Sequence, residues 1–468
     1  MTVTGERPPQ VEAKDDQQQL AGVRQVLRNR RFVLLWLAQL LSLTVFNAAN
    51  FGLVVLVNDM THSPFMAGLA IIAFTLPAIP FSVVAGVVVE RMDKRLVLWV
   101  SNVLRALLTL LMVVSLLADR SNLWTLFALV FLISLVGQFF TPAEGAAIPL
   151  LVGERELMAG LALFNITLTL SMALGFLVLG RIGATLFPPL TLSLGGLTLH
   201  LHSLDMLFVV VAGCYLLCAG LIFAIPARAF RERHIHGREE TKARVELGEA
   251  VRALWRDMVG GWRIVRADRL LYFSVIQLSV VGDLMLLIGQ LAGPFVVQVM
   301  HRPAADMALI VAPAGVGLVG MSVLIPRISN SVERLLLTRI GFVALALGFV
   351  SLPVSQWLAQ RVDPQHGPQS NLMVWLTIAL MLLLGAAMAC VNIPTQTIMQ
   401  ERAPTSGRAR VLALQFMLYN VGSIPILLIS GLVSERLGLQ PFIVWISLAL
   451  LLFCLWGARY TRDSPTLA

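Results

Sequence analysis

Apolar positions along this chain come in long runs separated by short polar stretches. Twelve runs are long enough to cross a hydrocarbon layer of about 30 Å as helices. They are residues 32–57, 65–89, 96–118, 123–147, 157–187, 205–225, 270–299, 306–326, 340–359, 372–399, 411–433 and 441–458. The longest polar interruption divides them six and six. The pattern therefore predicts an all-α membrane protein of twelve transmembrane helices in two six-helix, pseudo-symmetric halves. It places a tail at 1–31, a first half at 32–225, a linker at 226–269, a second half at 270–458 and a second tail at 459–468.

Two stretches follow other rules. From Leu190 to His202 apolar and polar residues alternate strictly, broken by Gly195-Gly196 at the middle. A period of two around Gly-Gly predicts a β-hairpin at about 190–202, in the outer loop after the fifth helix. In the linker, Leu247, Val251, Leu254, Met258, Trp262 and Val265 recur every three or four residues. Glu249, Arg252, Arg256, Arg263 and Arg266 fall mainly on the other side, which predicts an amphipathic helix lying at the inner membrane surface.

Charge sets the orientation. Of the 35 Lys and Arg, four lie in outer loops (Arg120, Arg302, Arg361 and Arg436) and two within spans (Arg105 and Arg181). The remainder lie in the tails, the linker and the inner loops, so both termini are expected in the cytoplasm of a multi-pass inner or plasma membrane protein. Residues 1–31 are polar and offer no apolar core for a cleavable signal peptide. The chain of 468 residues is 57% hydrophobic and 13% charged, against roughly 25% charged in soluble domains. The net charge of +9 then reports topology and anionic headgroups, so nucleic acid is not expected as a partner. The four cysteines, Cys214, Cys218, Cys390 and Cys454, sit in apolar runs without zinc-type spacing, and neither metal nor cofactor is expected. No Gly-x4-Gly-Lys-Ser/Thr is present, and no nucleophile–base pair shares one depth, so an enzyme is not expected.

Only four charged residues lie well inside the spans: Arg105, Glu144, Arg181 and Asp283. A carboxylate at mid-membrane costs a few kcal/mol, and such residues face a cavity or a partner. Asp283 is the only charge between Leu270 and Val299. It has two readings: a proton carrier, or an acid held in a helix contact by Ser279 or Gln277. Arg105 and Glu144 lie at similar depth on neighbouring helices. They make candidates for a buried ion pair, with Glu144 also able to reach Arg91 as a latch or to carry the proton itself. The amides Asn47, Asn50, Gln138, Asn165, Gln290, Asn392 and Asn420 are candidates to line a cavity. Such a lining suits a neutral or cationic amphipathic substrate.

The halves repeat one plan. Gln39 to Arg95 spans 56 positions, and Gln277 to Arg334 spans 57. Arg95-Leu-Val-Leu matches Arg334-Leu-Leu-Leu, and Ile148-Pro149 with Glu154-Arg155 returns as Ile393-Pro394 with Glu401-Arg402. Parallel repeats of this kind characterise one large transporter class, with substrate held between the halves. The inner loop containing Gly86, Glu90, Arg91, Asp93, Lys94 and Arg95 resembles the signature loop of the major facilitator superfamily. More narrowly, Phe32-Val-Leu-Leu-Trp, Thr61-His-Ser-Pro-Phe-Met-Ala-Gly, Leu104-Arg105 and Phe139-Phe-Thr-Pro-Ala143 resemble its macrolide-efflux and siderophore-exporter-like branch.

The resemblance implies the major facilitator fold, a gating role for the signature loop, and proton-driven efflux of small amphipathic compounds by a monomer. Its partners would be membrane lipid, the substrate and protons. Gln400-Glu-Arg and Pro142-Ala143 also look like lysophospholipid transporters, which keeps a lipid flippase open as an alternative. The chain departs from the family at Glu90 and Asp93, where Asp and Gly are usual. It also carries Asn47 and Asn102 where members often carry acids, so the repeat leaves Asp283 facing an uncharged counterpart, Asn47.

Overall fold

A computed structural model describes residues 25–152, 156, 159–160, 163–164, 167, 170–171, 174–175, 190–194, 197–230, 247–328, 333–364, 367–404 and 407–462. The first described span, α1 (Arg30–Thr61), begins where the Asn29 side chain accepts from the amides of Arg31 and Phe32. It ends at His62, which takes the left-handed conformation (φ 51°) and lets Ser63 cap the next helix. That helix is α2 (Pro64–Thr75), with Pro at its first position, where a missing N–H costs nothing. The second span, expected as one run over 65–89, is broken at Leu76-Pro77 and resumes as α3 (Ala78–Arg91). Pro77 cannot donate to the preceding turn.

The first half continues with α4 (Lys94–Ala118), α5 (Leu123–Leu151), β1 (Leu190–Leu194), β2 (Leu197–Leu201) and α6 (Ser203–Phe223). Most of the fifth expected span, 157–187, lies outside the described residues, as do Asn165, Arg181, Gly195, Gly196 and the linker stretch 231–246. The strands pair antiparallel, with Leu190, Leu192 and Leu194 opposite Leu201, Leu199 and Leu197. That register is the one the period of two predicts. The hairpin's far end is fastened by Asp205, buried at the start of α6. It accepts from Arg120 (2.8 Å) and from the His202 amide (2.9 Å).

The linker helix α7 runs Leu247–Ala267, followed by α8 (Arg269–Pro294), whose first amides are capped by Asp268. Then come α9 (Ala308–Ile328), α10 (Arg334–Val362), α11 (Asn371–Arg402), α12 (Arg408–Leu437) and α13 (Leu439–Tyr460). Among the described residues ten stretches are long and apolar enough to span a membrane, and Ile310–Ile325 within α9 is a shorter apolar one. Leu107, Leu111, Val114, Val323, Leu347 and Trp375 stand exposed on these helices, as lipid contact allows. The closest crossing joins α9 and α11. A Cβ on Gly317 would lie 2.0 Å from the Leu382 carbonyl oxygen, and one on Gly385 would lie 1.8 Å from that of Ala314. Small residues permit backbones to touch in this way.

Candidate functional site: the seam between the halves

The two halves meet where α1 and α2 pack against α8 and α12, at the end of the bundle that carries the hairpin. Gln290 on α8 holds this seam. Its Nε2 donates to the carbonyls of Pro64 and Leu427, both at 2.9 Å, and its Oε1 accepts from Ser430 at 2.9 Å. Two donated bonds and one accepted bond thus hold the amide, the bond to Pro64 crossing between the halves, and the side chain is fully buried. Glycines make the approach possible: a Cβ on Gly68 would meet Gln290 at 2.5 Å, and one on Gly431 would meet the Phe65 Cα at 2.6 Å. Nearby, Glu435 on α12 accepts from the Ser63 hydroxyl and from the Phe65 amide (3.2 Å). A carboxylate therefore closes the N-terminus of α2 from the opposite half, where helix dipole and free amides favour it. Asn58 on α1 lies against Gly293 on α8, its amide atoms buried without partners.

Asp283 lies about 21 Å along α8 from Arg269 at 1.5 Å per residue. It is 6% exposed and faces α12. The Tyr419 ring packs on the α8 backbone beside it, 2.6 Å from where a Cβ on Gly282 would stand. Asp283 Oδ2 is 3.9 Å from the corresponding point on Gly422. Asp283 Oδ1 is buried with no hydrogen-bond partner. The two groups expected to satisfy it are occupied elsewhere: Ser279 donates to the Val275 carbonyl, and Gln277 accepts from Thr395. No described cation forms a salt bridge with it. A carboxyl buried in a span without a counter-ion is costly, which marks it as a candidate functional group.

The expected Arg105–Glu144 ion pair is not formed. Arg105, on α4, donates to Ser42 at 3.1 Å, and Ser42 in turn donates to Asn102 at 3.2 Å. The guanidinium carbon stands 4.9 Å from the Phe140 ring and 5.7 Å from that of Tyr215. Arginine's flat, weakly hydrated cation stacks on aromatic faces where an ammonium would not. Glu144 is buried on α5 close by, but its Oε1 has no partner, and none of the described contacts joins it to Arg91. Geometry thus replaces a carboxylate with two rings and a hydroxyl.

The signature loop has a local explanation. Asp93 caps α4, accepting from the Arg95 and Leu96 amides. Lys94 donates back to the Glu90 carbonyl. Arg95 donates to the Phe223 carbonyl and sits 4.9 Å over the Phe223 ring, binding α4 to the end of α6. Glu90 and Arg91 are exposed, and Gly86 has open space around it. In the second half, Arg334 pairs instead with Glu401, so the two repeat motifs meet there.

The amides expected to line a cavity divide. Asn47, Gln138 and Asn420 are half-buried and donate to carbonyls of their own helices, at Leu43, Ser134 and Phe416. Asn50 and Asn392 are half-buried. Gln290 differs from them: it is fully buried and ties the halves together. Sequence reasoning also missed Glu435, Ser63, Tyr419, Ser42 and Tyr215. Ser63-Pro64 carried a readable helix-start signal, but Glu435 had none, because its partner is 372 residues away.

Comparison with known proteins agrees with this architecture. A family profile described as Major Facilitator Superfamily matches residues 35–426. Two curated relatives from Bacillus subtilis (strain 168) are uncharacterized MFS-type transporters. YfiS is 26% identical over 194 residues, covering 42% of this chain and 42% of its own. YjbB is 24% identical over 236 residues, covering 50% and 52%. The chain thus matches about half the length of these relatives. Among solved structures, nucleoside transporter NupG superposes with TM-score 0.68 at 13% identity, covering 93% of this chain and 100% of its own. A POT family transporter in complex with 5-aminolevulinic acid gives 0.63 at 12%, covering 93% and 96%. A bacterial homologue of the lysosomal transporter Spinster, inward-facing and unoccupied, gives 0.61 at 13%, covering 94% and 98%. These likenesses are of fold. With its apolar spans, its seam and a family match over most of its length, the chain belongs to the major facilitator superfamily and is a multi-pass membrane protein.

Proposed function

We propose that this transporter exports small amphipathic compounds, drug-like or siderophore-like, in exchange for protons. The observation that carries the reading is Asp283: a buried carboxyl on the inter-half helix α8 with, among the described residues, one oxygen without a partner and no cation bonded to it. The excess of arginine at the end opposite the hairpin supports cytoplasmic termini and an outer hairpin. In that orientation the Gln290 and Glu435 contacts close the outer face. The conformation is then the one in which cargo and proton exchange with the cytoplasm. Half-buried amides at Asn47, Asn50, Gln138, Asn392 and Asn420 support neutral or cationic cargo. Glu144, buried with one unpaired oxygen, is the alternative proton site.

The test is transport in proteoliposomes under an imposed pH gradient, with a panel of hydrophobic cations, hydroxamate and catecholate chelators, and lysophospholipid. Gradient-dependent movement of a cation or chelator is expected. Asp283→Asn is expected to keep cargo binding while losing at least about tenfold of gradient-driven flux. Equal flux in the variant would remove Asp283 from coupling. Movement of lysophospholipid alone would favour a flippase.

A further inference from the structure

The linker helix α7 is pinned along one face. Val265 is buried beside Leu271, Val275, Met399 and Val411. A Cβ on Gly261 would stand 2.7 Å from the Arg410 carbonyl oxygen, and Asp257 pairs with Arg410 at 2.8 Å. The helix also touches α3 of the first half, so it lies across the seam at the end opposite the hairpin.

Among the described residues its other face packs against no other span apart from the edge contact of Trp262 with Tyr272, and it has a definite chemistry. Arg252, Arg256, Arg263 and Arg266 fall on it at helical spacing, and all four are exposed. Between them stand Trp255 (65% exposed), Val259 (38%) and Trp262 (36%). Trp262, expected on the packed side, belongs to this stripe. The one acid from 252 to 266, Asp257, is on the packed face with Arg410. The stripe's level is set by its neighbours. The Arg266 guanidinium lies 5.8 Å from the Trp262 ring, and Trp262 meets Tyr272 edge-on at 6.0 Å. Tyr272 in turn lies 6.2 Å from Tyr460, which stacks on Trp456 at 5.3 Å. Tyr272 opens α8 and Tyr460 closes α13, and rings of this kind gather at the headgroup level of a bilayer. Exposed indoles interleaved with arginines at that level match the lipid interface in both polarity and charge.

We propose that this stripe is a binding surface for the anionic headgroups of phospholipids. The full-length protein in detergent is titrated with phosphatidylglycerol or phosphatidylcholine and analysed by native mass spectrometry. The wild type is expected to retain phosphatidylglycerol about tenfold more strongly. Replacing Arg252, Arg256, Arg263 and Arg266 with Gln, which keeps helix propensity, should abolish the preference. Replacing the same four with Lys should keep it. For the wild type alone, raising salt from 0.1 to 1 M shortens the Debye length from about 10 to about 3 Å and should weaken retention. Inorganic phosphate at the lipid's concentration should not displace it. Equal retention of both lipids, salt-independent retention, an unchanged preference in the Gln variant, or displacement by phosphate would each overturn the proposal.

Discussion

At the scale of single residues, the buried charges divide into two kinds. Arg105 has a polar and aromatic setting made by Ser42, Phe140 and Tyr215, with its Nε left without a hydrogen-bond partner. Among the described residues, Glu144 and Asp283 each have an oxygen that nothing satisfies, and neither has a hydroxyl-and-ring setting of that kind. An ion pair would make Arg105 and Glu144 equally costly to change; this geometry makes them unequal. Arg105→Ala is expected to lower stability by roughly 3 kcal/mol, seen as lost monodisperse protein after extraction. Glu144→Gln should leave that yield unchanged within error. The sequence made all these charges visible, because each interrupts an apolar run. It could not pair them: depth along two helices leaves rotation open, and rotation decides whether Arg105 meets Glu144 or two rings. Gln290 failed for the same reason, since an amide in a span reads alike whether it lines a cavity or bridges two carbonyls.

At the scale of elements, periodicity carried most of the fold. The hairpin's register and the extent of α7 follow from patterns of two and of three to four. The break at Pro77 was written in the chain but hidden inside a continuous apolar run, where hydropathy alone sees one span. Asp93 shows an element-level cause for what looked like a departure from the family. At the start of α4 an acid satisfies two amides, which Gly cannot do with a side chain. Asp93→Ala should then cost about 1 kcal/mol in thermal unfolding, and Asp93→Asn little, since both Asp and Asn cap well. A drop in transport with Asp93→Asn and no loss of stability would show that the charge has a gating duty as well.

At the scale of the whole molecule, the seam decides which end is shut. Gln290 joins Pro64 in one half to Leu427 and Ser430 in the other, deep in apolar surroundings. Its removal would take the second hydrogen bond from two buried carbonyls that keep their helical partners, at roughly 0.5–1.5 kcal/mol each. Since only the bond to Pro64 crosses the halves, it is the one lost on opening at the hairpin end, and Gln290→Ala should shift the equilibrium towards opening there by up to about tenfold. Spin labels placed on the hairpin-side ends of α2 and α12 would read this as a longer distance. An unchanged distance distribution would mean that the apolar contacts alone keep that end shut. Opening there also requires Glu435 to leave the N-terminus of α2, an exposed contact that is cheap to break.

The ring stack around Arg105 also imposes an order on synthesis. Ser42 and Asn102 are made before or with Arg105, but Phe140 and Tyr215 come later, the last by about 110 residues. At 5–20 residues per second, the guanidinium waits about 5–20 s for its second ring. Through that interval α1 is the neighbour already present, and the Ser42 hydroxyl is what it can offer to a cation entering lipid. The hydrogen bond from Arg105 to Ser42 is small in the finished protein, but it is the first shelter this charge receives.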